Sequence, residues 1–119
     1  MLDKRKFYIN GKWVAPSKPN DLDVIDPCTE ESVAVISLGS KEDTNAAVSA
    51  AKTAFESWKE SSKEERVALL EKLLNIYKKR YSEMVDAISL EMGAPTDWSK
   101  DVQTASGQSH IEDFILRLK

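Results

Sequence analysis

The sequence predicts an α+β chain: an N-terminal β-hairpin and short strands, followed by about four helices. Three observations carry this. An Asn-Gly pair sits between apolar residues in "FYINGKWV". Two short strand-like runs, "DLDVID" and "SVAVISL", flank the turn "PCTEE". From residue 40 onward, apolar residues return at spacings of three and four. The composition change divides a β segment, residues 1–39, from a helical segment, residues 40–119.

Asn-Gly is the strongest short-range hairpin signal, because both residues tolerate the positive φ of a type I′ turn. A two-residue loop sets Tyr8 opposite Trp13 and Phe7 opposite Val14, so Tyr8 and Trp13 form a cross-strand aromatic pair. After the loop "APSKPND", the two strands around "PCTEE" follow. Pro27 fixes its own φ and holds Asp26 extended. Val33 and Val35 point to one face of the second strand, and Ala34 and Ile36 to the other.

The first helix starts at Ser40, an N-cap with Asp43 at capping-box spacing. Ala47, Val48, Ala51, Phe55 and Trp58 share one of its faces. A second helix starts at Ser62, with Glu65 at the same spacing. Val67, Leu70, Leu73, Leu74, Tyr77 and Tyr81 form its stripe. The period continues through Met84, Val85, Ile88 and Met92 after a break near Tyr81, and Gly93 and Pro95 end it. The last helix starts near Thr96 or Asp97 and runs to Lys119. Val102, Ala105, Ser109, Ile115 and Leu118 are its expected buried side. The aromatic residues at helical spacing are expected in the core rather than as a stacking platform for bases.

With 17 basic and 20 acidic residues the net charge is −3, which gives no broad electrostatic case for nucleic acid or an anionic membrane. Opposite charges are interspersed in "KEERVALLEKLLNIYKKR", as on the solvated side of a core helix. The opening "MLDKRKFYINGKW" lacks the apolar run of a secretory signal, and one cysteine cannot form an internal disulfide. A reducing, cytoplasmic location is therefore expected.

Candidate chemistry is sparse. The only cysteine, Cys28, follows Pro27 with no His, Lys or Arg beside it to favour a thiolate. His110 is the only histidine, and its distance in sequence from Cys28 matches no metal-ligand spacing. Glycines 11, 39, 93 and 107 stand singly, so no phosphate-binding loop is present. The acidic pairs Glu30-Glu31 and Glu64-Glu65 have the character of surface charge. No catalytic and no cofactor-binding residue is assigned.

The order of features is more specific than any one of them. "FYINGKWV", "VIDPCTEESVAVI", "AVSAAKTAFESWKESSKEERVALLEKLLNIY" and "LEMGAP" follow one another along almost the whole chain, from Phe7 to Leu118. In this order they resemble the N-terminal segment of the aldehyde dehydrogenase superfamily. The resemblance implies a parent of α/β class with a Rossmann-like cofactor domain. Residues 1–39 and 40–119 would together form part of that domain, packed on a parallel sheet outside this chain. It implies an oxidoreductase that converts an aldehyde to a carboxylic acid with NAD or NADP. A cysteine thiolate adds to the aldehyde, hydride leaves the thiohemiacetal, and a glutamate-activated water releases the acid. In the family those residues lie downstream of the stretch matched here, so the 119 residues alone are expected to be inactive.

On this resemblance Cys28 is a variable turn residue, and Glu30 stands where the family often has glycine. Some members bind a structural monovalent cation nearby. The matching positions are the Ile25 carbonyl and Glu91, oxygen donors suited to a hard cation. The resemblance also implies a homo-oligomer. Helix faces without partners would favour self-association of the chain itself. The competing class is a stand-alone helical interaction or assembly module without redox activity.

Overall fold

A computed structural model describes residues 1–119. Its contacts divide into two compact units, Met1–Glu60 and Ser61–Lys119. The expected α+β class is found: short strands, then helices. The first helix belongs to the same compact unit as the strands.

The first unit contains β1 (Leu2–Asp3), β2 (Phe7–Ile9), β3 (Lys12–Val14), β4 (Asp21–Ile25), β5 (Ser32–Ser37) and α1 (Lys41–Trp58). Strands β2 and β3 form the expected hairpin, with Phe7 opposite Val14 and Tyr8 opposite Trp13. Asn10 and Gly11 have φ of 51° and 74°, the two left-handed residues of a type I′ turn. The Tyr8 and Trp13 rings meet edge to face, with centroids 5.2 Å apart. Phe7, Ile9 and Val14, on the other face, are half-buried.

Strands β4 and β5 pair antiparallel, with a bulge between Val24 and Ile25. Asp26 opens the connecting turn. Its carboxylate accepts from the Cys28 amide at 2.8 Å, and its carbonyl accepts from the Glu30 amide at 2.8 Å. Glu30 closes the turn at φ 59°, in the left-handed region. A glycine would adopt this conformation without the cost that a Cβ brings.

Strand β1 is an addition to the expected elements. It pairs parallel with β5, Leu2 opposite Ala34, so the sheet order is β1-β5-β4. Arg5 joins the two outer strands, donating to Asp3 at 2.8 Å and to Asp21 at 3.2 Å. The hydrogen bond from the Arg5 side chain, then that from its amide, lowers the Asp3 carboxyl to about 2. With strands on both sides, β5 carries the buried Ala34, Val35 and Ser37.

Helix α1 begins with the expected capping box. Ser40 Oγ accepts from the Asp43 amide at 3.2 Å, and Asp43 Oδ2 accepts from the Ser40 amide at 2.9 Å. Asp43 does more than cap, because its Oδ1 also accepts from the Ser17 amide at 2.9 Å. One buried carboxylate thereby ties the 15–20 loop to the start of α1. Farther along, Val48, Phe55 and Trp58 are exposed. The two aromatics are therefore not core residues within these 119 residues, contrary to expectation.

The second unit contains α2 (Lys63–Lys79), α3 (Tyr81–Met92), a short turn α4 (Thr96–Trp98), a π-helical segment (Ser99–Thr104) and α5 (Ala105–Leu118). Ser62 and Glu65 form the second capping box, with bonds of 2.7 and 3.1 Å. The break falls at Arg80, whose φ of −104° and ψ of 18° separate α2 from α3. Gly93, at φ 69°, ends α3 in the left-handed conformation that glycine adopts without steric cost. From Thr96 to Leu118 the backbone stays helical, but the π segment inserts extra residue length per turn. Positions beyond it rotate relative to an uninterrupted α-helix. The expected inner side is corrected accordingly. Ile115 is buried and Ala105 and Leu118 half-buried, as expected, but Val102 and Ser109 are exposed, while Ser99 and Thr104 are buried and Gly107 and Ile111 half-buried.

Two outcomes are expected. Glu30→Gly removes the left-handed cost of a side-chain-bearing residue and raises stability by about 1 kcal/mol, read as a higher urea midpoint. A lower midpoint would contradict the strain at this turn. For Asp43, the amides of Ser40 and then Ser17 hold the carboxyl below its ordinary value. Its stabilising contribution is present above the unfolded carboxyl pKa of about 4 and is lost as pH falls through the lower folded value. Asp43→Asn should lower the melting temperature at pH near 7 and weaken its fall toward pH near 3. Circular dichroism melts that superimpose on wild type at both pH values would refute the role.

Candidate functional site

The turn at Cys28 shows no catalytic arrangement. The thiol is exposed, and the ionisable side chains beside it in the turn are the carboxylates of Asp26, Glu30 and Glu31. His110 lies on the exposed side of α5. No group of three or more His, Cys, Asp or Glu residues is placed to hold a metal ion. Ile25 ends β4 in the first unit, and Glu91 is exposed in the last turn of α3 in the second.

The most organised polar region is the π-helical segment. A π turn bonds i to i+5 and leaves backbone carbonyls without their α-helical donors. Two tyrosines, four residues apart, supply donors. Tyr77 Oη donates to the Thr104 carbonyl at 2.9 Å, and Tyr81 Oη donates to the Lys100 carbonyl. Their rings meet edge to face at 6.2 Å. Burial, with a smaller effect from Tyr81, raises the Tyr77 pKa, so the phenol stays a protonated donor. Ser89 Oγ donates to Ser99 Oγ at 2.9 Å, bringing α3 onto the same segment. Thr104 is fully buried, and its Oγ1 has no partner.

Helix α5 approaches α2 closely at Gly107, where a Cβ would lie 2.5 Å from Tyr77 Oη and 3.1 Å from Cζ. Around this approach, Lys78 pairs with Glu112 at 2.8 Å and Lys119 with Glu71 at 2.6 Å. The Lys78 bond is the main cause of a lowered Glu112 pKa. A shallow groove of about 370 Å³ opens beside Lys79, Tyr81, Val85 and Lys100. These groups hold helices together; none pairs a nucleophile with a base.

Helix α2 presents apolar side chains in two directions. Val67, Leu70, Leu74 and Tyr77 are half-buried, on the side expected. Leu69, Leu73 and Ile76 are 53%, 48% and 45% exposed. They lie at i, i+4 and i+7, a continuous stripe along the helix. Leu73 was expected on the buried stripe. Leu69 and Ile76 were not singled out, although the run "LLEKLLNI" contains them and their spacing marks a second stripe. A helix that is apolar on more than one side is characteristic of an element enclosed by a larger structure.

Comparison with known proteins identifies the class. The aldehyde dehydrogenase family model matches residues 13–116. The chain belongs to the aldehyde dehydrogenase family. Its backbone matches that of an aldehyde dehydrogenase from Bartonella henselae with a TM-score of 0.98 and 58% identity, covering 99% of this chain and 25% of that one. It matches aldehyde dehydrogenase C of Pseudomonas syringae, a C291A mutant complexed with NAD+ and octanal, at a TM-score of 0.94 and 37% identity, covering 96% and 24%. In sequence it is 40% identical over 112 residues to a 3-succinoylsemialdehyde-pyridine dehydrogenase of a Pseudomonas species, covering 93% of this chain and 24% of that enzyme. The chain thus spans about a quarter of the length of these relatives, corresponding to their N-terminal part. No helix is long and apolar enough to cross a membrane.

Gly107→Ala tests the close helix approach. Alanine is favoured over glycine in a helix by about 1 kcal/mol. Against this stand overpacking of about 1–3 kcal/mol and loss of the Tyr77–Thr104 bond, about 0.5–1.5 kcal/mol. The substitution should therefore lower stability by about 1–2 kcal/mol in urea denaturation. A variant more stable than wild type would show that the helices tolerate a wider separation.

Proposed function

We propose that this chain is the N-terminal portion of an NAD-dependent aldehyde dehydrogenase and serves as scaffold for its cofactor-binding domain. The carrying observation is the family match over residues 13–116 by a chain that spans about a quarter of the length of its relatives. NAD is preferred over NADP because relatives from Pseudomonas syringae and Mycobacterium tuberculosis are NAD+ complexes. The chain's four single glycines do not fit a dinucleotide-binding loop, so cofactor contacts are assigned to the remainder of the enzyme. The cysteine that forms the thiohemiacetal and the glutamate that activates water are assigned there too. The whole enzyme would oxidise an aldehyde to a carboxylic acid as a cytoplasmic homo-oligomer. The capped helices and the Asp43 and Tyr77 bonds fit a role in holding shape rather than in proton transfer.

The Ile25 carbonyl and the Glu91 carboxylate are proposed as two ligands of a structural monovalent cation site in the whole enzyme. Both are hard oxygen donors, and Glu91 is exposed. Two donors do not complete a coordination shell, so further ligands would come from elsewhere in the enzyme or from water.

Purified alone, the 119-residue chain should form no NADH from an aldehyde and NAD. Co-expressed with the Bartonella relative lacking its matching N-terminal part, it should restore NADH formation. Activity of the chain alone, or failure of co-expression to restore any, would reject the scaffold assignment. In the restored enzyme, Glu91→Gln should reduce the rise in melting temperature on replacing choline chloride with potassium chloride. An unchanged rise would remove Glu91 from the cation site.

A further inference from the structure

Helical hydroxyls elsewhere in this chain bond the carbonyl four residues earlier. Thr44 donates to the Ser40 carbonyl at 3.0 Å, Thr53 to Ser49 at 3.1 Å and Ser106 to Val102 at 2.7 Å. This is the ordinary acceptor of a threonine or serine in a helix. Thr104 departs from the pattern: it is fully buried, and its Oγ1 has no partner. The carbonyl four residues before it belongs to Lys100, and the Tyr81 phenol donates to that carbonyl. In the π register the phenol reaches the Lys100 carbonyl and the Thr104 hydroxyl does not.

An α-helix turns by about 100° per residue, so residues five apart point about 140° away from each other. Ser99 and Thr104 are five apart, and both are fully buried. The wider turn of the π segment is what brings them to one side. The two flanks of the segment are anchored unequally. Beyond it, α5 is held on α2 by the close fit of Gly107 against Tyr77 and by the Lys78–Glu112 and Lys119–Glu71 pairs. Before it, the Ser99 side chain is held by a 2.9 Å bond from Ser89 and a 3.5 Å bond to the Ala94 carbonyl. Tyr81 is half-buried and lines the groove shared with Lys79, Ser82 and Lys100, so this bond sits at the edge of solvent.

We propose that the Lys100 carbonyl is the acceptor of a two-position latch. With Tyr81 as donor, the segment is π and Ser99 faces α3. With Thr104 as donor, the segment is α, the buried hydroxyl is satisfied, and Ser99 turns about 100° away from Ser89. The weaker flank yields, so the 94–99 stretch moves while α5 keeps its seat on α2. A phenol is exchanged for an alcohol on one carbonyl, and the Ser89–Ser99 bond opposes the gain at Thr104. The two states therefore differ by little, and a single substitution inverts them. The latch is internal to the second unit and does not depend on the scaffold function proposed above.

The test is a double-mutant cycle in the 119-residue chain: Tyr81→Phe, Thr104→Val and the two together. Urea denaturation reads stability, and NMR reads the proximity of the Ser89 and Ser99 side chains. In the wild-type background Thr104→Val removes an unpartnered hydroxyl and should raise the folding equilibrium constant by about twofold to tenfold. In the Tyr81→Phe background the same substitution removes a bonded hydroxyl and should lower that constant by about as much. Tyr81→Phe itself should abolish the Ser89–Ser99 nuclear Overhauser contact, while contacts between Gly107 and Tyr77 persist. If Tyr81 only packs, the Thr104→Val effect keeps one sign in both backgrounds, and that result overturns the latch. A Ser89–Ser99 contact that survives in Tyr81→Phe does the same. Should Tyr81→Phe not fold, the wild-type background decides: a Thr104→Val chain of higher stability upholds the latch, and one of lower stability overturns it.

Discussion

Helix α2 has apolar side chains on two sides, and the surrounding residues cover one of them. Much else follows from that constraint. Burying a leucine or isoleucine fully stabilises a fold by about 1.5–3 kcal/mol. Three such side chains left about half in water forgo several kcal/mol, against a typical total of about 5–15 kcal/mol for a small domain. The buried apolar side chains are correspondingly few: Ala34 and Val35 in one unit, Val85 and Ile115 in the other. In the aldehyde dehydrogenase family this segment is one part of a much longer chain, and its sequence has the hydrophobic character of an interior part.

Directional bonds compensate for some of the missing core. In the first unit, Asp43 gathers the Ser17 and Ser40 amides, and Arg5 links the two strands that flank β5. In the second, Tyr77 and Tyr81 supply donors to carbonyls of the π segment. These are side chain-to-backbone contacts with specific geometry, and they define positions that a sparse hydrophobic core would leave loose. Thr104 shows the limit of this arrangement: its buried hydroxyl has no partner, which costs stability.

The elements legible in the sequence were those specified locally. Asn10-Gly11 determines the hairpin register because both residues accept positive φ, and the two serine-acid pairs mark the starts of α1 and α2. Strand β1 escaped because two residues carry no period, and its partner lies more than thirty positions away. The inner side of the last helix was legible in part: Ile115 is buried and Ala105 and Leu118 half-buried, as the spacing indicates, whereas Val102, inside the π segment, and Ser109 face outward. Leu69 and Ile76 were visible as apolar residues, but one stripe already accounted for a helix of that length. At the candidate site, the acidic neighbours of the exposed Cys28 thiol are already visible in the sequence. Ile25 and Glu91 came from family resemblance, and no local pattern of charge or spacing singles them out.

The parallel pairing of Leu2–Asp3 with Ala34–Val35 has a kinetic consequence. A two-residue hairpin loop closes in microseconds, whereas β1 has to bring together positions separated by the whole β2–β4 region, with a larger loss of chain entropy. On a ribosome, the first strand residues to emerge cannot pair until β5 has been made. The start of the chain is therefore expected to be among the last parts of the sheet to settle. Until then, β5 has an unoccupied edge during synthesis, open to misplaced strands and to chaperones that bind extended chain.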